Sequence, residues 1–140
     1  SWARDVYKRQ TLSQSGGMLG FSLYPHHLND NSNCKLDNFC EMVARTAEIM
    51  DVKNLGIGSD LCLNQPDEIV EWMRNGTWTK KKVYGEGTAN NVGFPEQPSW
   101  FKDARGFKNI ESGLRKIGFS SDEINGILGN NWYNFYKGIN

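Results

Sequence analysis

Leu55-Gly56-Ile57-Gly58-Ser59-Asp60 is a run of small and apolar residues that ends on a carboxylate. Strand alternation puts Leu55, Ile57 and Ser59 on one side and Gly56, Gly58 and Asp60 on the other. The glycine side carries no bulk before the carboxylate, which leaves space in front of it. Upstream, Met18-Leu19-Gly20-Phe21-Ser22-Leu23 follows Gly16-Gly17 and is closed by Pro25, so it also reads as a buried strand. Between the two runs, Asn29 to Asn33 is a polar loop. Leu36, Phe39, Val43, Ala47 and Met50 then recur at spacings of three and four, the stripe of one amphipathic helix. Strand, helix and strand at this spacing predict a βαβ unit with parallel strands and a right-handed crossover.

Downstream, Asp67 to Asn75 is predicted helical, with Ile69, Trp72 and Met73 on one side and Gly76 as its stop. Residues 77–108 are rich in Gly, Asn and Pro, and irregular stretches of that length are often functional. Ile110, Leu114 and Ile117 mark a helix ended by Gly118. Ser120-Ser121-Asp122-Glu123 is a capping box, with Phe119 placed to staple onto Ile124, and that helix runs to about Leu128 before Gly129 breaks it. A last helix carries Trp132, Phe135, Tyr136 and Ile139. Residues 1–10 fit nothing downstream; they are read as non-native or artefactual and set aside, leaving 11–140 as the folded part. Two parallel strands cannot make a free sheet covered on both faces, so the pattern points to a missing remainder.

Composition narrows the function. Sixteen basic residues balance sixteen acidic ones, so no strong field draws nucleic acid or an anionic membrane. Lys80-Lys81-Lys82 reads as a solvated loop. Apolar residues make up 38% of the chain, enough for a core, while fifteen glycines and a mean hydropathy of -0.62 imply many turns. No apolar run reaches the roughly 18 residues a membrane helix needs. The three cysteines, Cys34, Cys40 and Cys62, form no Cys-x-x-Cys pair and read as reduced thiols.

Asp60 is the strongest candidate for chemistry, because ligands of α/β folds collect at the C-terminal ends of parallel strands. An ordinary turn or capping aspartate would read the same way. His26 and His27, the only histidines, are adjacent and would diverge on an extended chain, so they suit a loop entry better than a shared metal. Tyr24 either faces a pocket at the strand end or packs. Among the aromatics, those on helices suit core packing, whereas Trp78 and Trp100 in the loop region could line a groove. Asn75-Gly76-Thr77 matches a glycosylation sequon, a frequent chance pattern. No metal-binding His-x-Asp or His-Glu-x-x-His, nucleophile elbow or phosphate-binding glycine loop occurs.

The runs Gly16 to Tyr24 and Leu55 to Asp60 resemble the last two barrel strands of the renal (membrane) dipeptidase family of metallopeptidases. Ile110 to Ile117, Gly118-Phe119-Ser120 and Gly129-Asn130-Asn131-Trp132 resemble its closing helices. Tyr24 to Leu28, Glu71 to Gly76 and Gln97 to Phe101 resemble a bacterial branch of it. The resemblance runs from about residue 14 to residue 140. It implies an α/β fold: the last two βα units and C-terminal helices of a (β/α)8 TIM-like barrel, incomplete in this chain. It implies two zinc ions in the intact enzyme and a zinc-bridged water that hydrolyses dipeptides. The family draws its metal ligands from a His-x-Asp, a bridging Glu and two later histidines, all before the equivalent of Gly16. No zinc is therefore expected to bind this piece, and it is expected to be inactive alone.

Asp60 matches the family's proton-handling aspartate, and Tyr24 lies near a substrate-lining position. The family's carboxylate-binding arginine lies upstream, and neither Arg74 nor Arg105 matches it. The implied partner is a dipeptide, a homodimer is compatible, and with no anchor signal after Tyr136 a soluble, cytoplasmic protein is expected. The alternative is a non-catalytic small-ligand module built from a barrel segment and using Trp78 and Trp100. A relative with altered amidohydrolase specificity is a third reading.

Overall fold

The computed structural model describes residues 2–75 and 95–139. In chain order these form α1 (Trp2–Gln14), β1 (Leu19–Ser22), α2 (Leu36–Ala47), β2 (Leu55–Gly58), α3 (Asp67–Asn75), α4 (Phe107–Ile117), α5 (Ser121–Asn125) and α6 (Asn131–Gly138). Single 3-10 turns at Pro25–His27, Asn31–Asn33, Val52–Asn54 and Ala104–Gly106 fill the connections. The result is a helix-rich α/β fold around one two-stranded sheet. Lys80-Lys81-Lys82, Trp78 and the sequon's Gly76 and Thr77 lie outside the described residues.

The βαβ unit forms as its pattern predicts. β1 and β2 pair in parallel, with Leu19 opposite Leu55, Gly20 opposite Gly56, Phe21 opposite Ile57 and Ser22 opposite Gly58. Alternation then sorts the sheet into two faces. Leu19, Phe21, Leu55 and Ile57 belong to the face that joins the core; Gly20, Ser22, Gly56 and Gly58 belong to the other. The core is built by Phe39 and Val43 of α2 and by Met50 just past its end, together with Phe101, Ile110, Leu114, Ile124 and Ile127. Phe21 meets Phe39 edge-on at 6.2 Å between ring centroids. Burying side chains of this size stabilises by roughly 1.5–3 kcal/mol each. A surface ion pair between Lys116 and Asp37 at 3.1 Å also links α4 to α2, but exposure keeps its contribution small.

Chain punctuation explains the C-terminal helices. Gly118 ends α4 at φ 112, a left-handed conformation that glycine adopts without penalty, and the following N–H groups return to Leu114 and Arg115. Ser120 and Glu123 then make both bonds of a capping box, which typically contributes about 1 kcal/mol. The helix predicted to run on to about Leu128 does so: α5 widens into a π-helical turn from Gly126, and the break falls at Gly129, whose backbone is non-helical (φ 174, ψ -41), before α6.

Two further differences are physical. Residues 2–10 of the segment set aside in the sequence reading lie in α1: the chain has no Gly or Pro before Gly16, so a helix is open to it without an apolar stripe. Its end is held by Ser13, whose Oγ donates to Asn54 and accepts from the Asp51 N–H. On α3 the buried residue is Val70, whereas Ile69, Trp72 and Met73 are exposed, so the predicted stripe faces away from the core. Among the described residues no helix is long and apolar enough to cross a membrane.

Candidate active site

Parallel pairing brings the chain exits of β1 and β2 to the same end of the sheet. From β1 the chain passes through Tyr24 into the turn Pro25–His27; from β2 it passes through Ser59 to Asp60. Asp60 is exposed, at φ 50, and makes no hydrogen bond among the described residues. The left-handed region is open to Asp because its short polar side chain tolerates it. Asn64, at φ 56, bends the same loop again. β2 therefore stops at Gly58, and strand alternation does not govern where Asp60 points, contrary to the sequence reading.

The predicted open space beside the carboxylate is only partly there. The indole of Trp132 lies on the glycine face: a Cβ at Gly20 would sit 3.1 Å from its Cζ2, and a Cβ at Gly56 would overlap the ring. Trp132 Nε1 donates to the Ile57 carbonyl at 3.1 Å. One residue earlier, Asn131 Nδ2 donates to the carbonyls of Val52 and Leu55, each at 2.8 Å. These bonds pin α6 against β2. At Gly58, nearest Asp60, a Cβ would meet among the described residues only Gly20 backbone, at 3.8 Å or more, so among these residues the face opens toward the strand exits.

The β1 exit carries a cluster that spacing alone did not reveal. Tyr24 is half-buried, its ring 5.7 Å from that of His26 and 5.3 Å from that of His27. The two histidines share one 3-10 turn and both flank Tyr24, rather than diverging on an extended chain. Ser22 Oγ lies 2.8 Å from His27 Nδ1 and accepts the Tyr24 N–H at 3.2 Å. The signal was present in the Pro25 that starts the turn.

Several candidates are placed elsewhere. Trp100 is buried and its Nε1 donates to the Cys34 carbonyl at 2.7 Å, so this loop aromatic packs into the core while also lining the cleft between residues 32–36 and 96–102. Arg105 is held on Asp103 at 2.6 Å; that pair keeps the Asp103 carboxyl low, at about 2, through its hydrogen bonds from Arg105. The three cysteines are free thiols. Burial pushes Cys40 up to about 11, with Asp37 adding and Lys116 opposing, and burial followed by Asp30 also raises Cys34. Neither is a thiolate near neutral pH, so neither is a nucleophile. A disulfide-exchange reagent is thus expected to modify the half-buried Cys62 quickly and the other two only as the chain unfolds. Three equally fast thiols in native protein would refute that core.

Among the described residues no group of three or more His, Cys, Asp or Glu side chains is placed to hold a metal ion. The residues described here do not by themselves fit a zinc pair.

No family model and no curated protein matches the chain. Among solved structures, it is similar to a crystal structure of an amidohydrolase from Pseudomonas aeruginosa, with a TM-score of 0.76 and 18% sequence identity. The match covers 93% of this chain and 38% of that one, so the chain spans well under half the length of the amidohydrolase whose fold it shares.

Proposed function

We propose that this chain is the C-terminal portion of a metallodipeptidase built as a (β/α)8 barrel, with Asp60 as its proton-transferring carboxylate. The observation that carries the reading is the parallel β1–β2 pair with an exposed carboxylate at its C-terminal end, unpaired among the described residues, where α/β enzymes place their chemistry. The fold shared with a stretch of the amidohydrolase supports it. In this reading the metal ligands belong to strands outside this chain. Zinc, when bound, would supply an activated water.

What this chain contributes is a base and part of a wall. Asp60 takes the proton that leaves the water as its oxygen bonds to the peptide carbon, and returns it to the amide nitrogen as the C–N bond breaks. Tyr24, leaving β1 beside the Asp60 exit, lines the substrate side. Trp132 closes the lower glycine face and keeps water out of the sheet there.

Reading the coding sequence upstream of residue 1 tests the proposal. A His-x-Asp, a bridging glutamate and two later histidines are expected there, within one open frame. A frame that begins close to residue 1, with none of these, would refute it.

A further inference from the structure

We infer that His27 is a specificity-determining residue of the dipeptidase site. Its Nε2–H meets an oxygen acceptor at the end of a substrate side chain, such as that of Glu or Gln, and Ser22 is the positioning residue that sets its tautomer. The inference rests on the reading of Asp60 as the proton-transferring carboxylate and names the substrate class of that same site.

Four paired positions, Gly20, Ser22, Gly56 and Gly58, make up the glycine face of the sheet, and of these only Ser22 has a side chain. It stands at the end of β1, where that face opens. The turn Pro25–His27 doubles the chain back, with the His27 N–H bonded to the Tyr24 carbonyl at 2.9 Å. The imidazole thereby returns to Ser22, and its Nδ1 lies 2.8 Å from Oγ. His27 is thus anchored on the strand exit beside that of Asp60, although it lies five residues past Ser22.

Counting hydrogens settles which nitrogen faces outward. A hydroxyl has one hydrogen to give and two lone pairs. Ser22 Oγ already accepts the Tyr24 N–H at 3.2 Å. With Nδ1 as an acceptor, the hydroxyl hydrogen is used as well. With the hydrogen on Nδ1 instead, Oγ accepts twice and its own hydrogen has no acceptor among the described residues. The neutral ring therefore carries its hydrogen on Nε2, which has no partner among the described residues.

Asp60, which marks the scissile bond in that reading, leaves from β2, and His27 is tied to β1, one strand across. Adjacent strands lie about 4.8 Å apart, so the donor sits to one side of the scissile bond, where a dipeptide carries its side chains. A terminal carboxylate is common to all dipeptides and would confer no preference among them. The Tyr24 ring, 5.3 Å from that of His27, offers a methylene stem a surface. A side chain with an apolar stem and an oxygen end suits both groups. Gln and Glu have that shape, and Met matches their length without a good acceptor.

The test measures kcat/KM of the full-length, zinc-loaded protein on dipeptides that pair Gly with Glu, Gln or Met, in either order. In one of the two orders Glu and Gln are expected to be favoured over Met by about tenfold, less than in a sealed site because His27 is exposed. His27→Phe keeps a ring without an N–H and is expected to bring that ratio close to one. Ser22→Ala is expected to lower it part of the way. Nitrogen NMR of the imidazoles, in mildly alkaline buffer where an ordinary imidazole is neutral, is expected to show one His27 tautomer, hydrogen on Nε2, and a mixture in Ser22→Ala; His27→Phe assigns the signal. An active enzyme with no preference for Glu and Gln, a preference that survives His27→Phe, or a wild-type His27 with its hydrogen on Nδ1 would each overturn this inference and leave the dipeptidase reading standing. A zinc-loaded protein that turns over none of the dipeptides would overturn both. Should Ser22→Ala fail to fold, His27→Phe and the wild-type spectrum decide the matter.

Discussion

On the proposed reading of Asp60 as the proton-transferring carboxylate of a dipeptidase, Asp60→Asn in the full-length protein is expected to lower kcat by about 10²–10⁴-fold, the usual contribution of a positioned acid–base group, with little change in KM. The substitution is unusually clean for a structural reason. Asp60 is exposed, sits at φ 50 and makes no hydrogen bond among the described residues. Asn enters the left-handed region at least as readily as Asp, so the backbone has no reason to move. Surface changes of this kind shift stability by no more than about 0.5 kcal/mol. Alanine at the same position would confound the result, because a Cβ with no polar end costs about 1–2 kcal/mol in that conformation. The measurement is steady-state dipeptide hydrolysis alongside thermal melts of both proteins. An Asn variant with undiminished kcat would remove Asp60 from the chemistry. A variant whose melt falls by several degrees would show that its role is structural.

Gly56→Val is expected to destabilise the fold by about 3 kcal/mol, at the upper end of ordinary overpacking. Valine suits a strand by propensity, so the direction comes from contact alone. A Cβ at position 56 would overlap Trp132 Nε1 and lie 2.7 Å from Cδ1. The indole has no easy retreat. Its N–H is bonded to Ile57, and the two bonds from Asn131 fix the start of its helix to the residues around β2. Urea unfolding followed by far-ultraviolet circular dichroism gives the loss directly. Adding Trp132→Ala provides the internal control: a double-mutant cycle should return a coupling of about 1–3 kcal/mol, since the second change removes what the first collides with. An unchanged urea midpoint for Gly56→Val would mean that the indole does not rest on the sheet.

The elements that packing decides were legible from pattern. The α2 stripe, the parallel strand pair, the Gly118 stop and the Ser120–Glu123 capping box all appear where spacing and propensity put them. Each is a local rule reinforced by burial. The site was less legible, because its features depend on contacts between distant segments. Alternation fails at Asp60, where a left-handed residue re-aims the chain. The bare glycine face suggested empty space, yet a tryptophan more than seventy residues later fills its lower half. Trp100 looked like a loop aromatic and proved to be core, since its partner carbonyl belongs to Cys34. The pairing of Ser22 with His27 depends on a 3-10 turn that follows from Pro25 but that strand periodicity does not anticipate.

The β1–β2 ladder has one further implication. Among the described residues each strand is bonded on a single side, so its outer flank offers a row of aligned amide donors and carbonyl acceptors. A sheet in this state is a ready template: an incoming extended segment can dock on either flank without disturbing the existing pair. Two polypeptides made separately, one carrying these strands and one carrying their neighbours, would therefore meet along preformed seams rather than having to remodel each other.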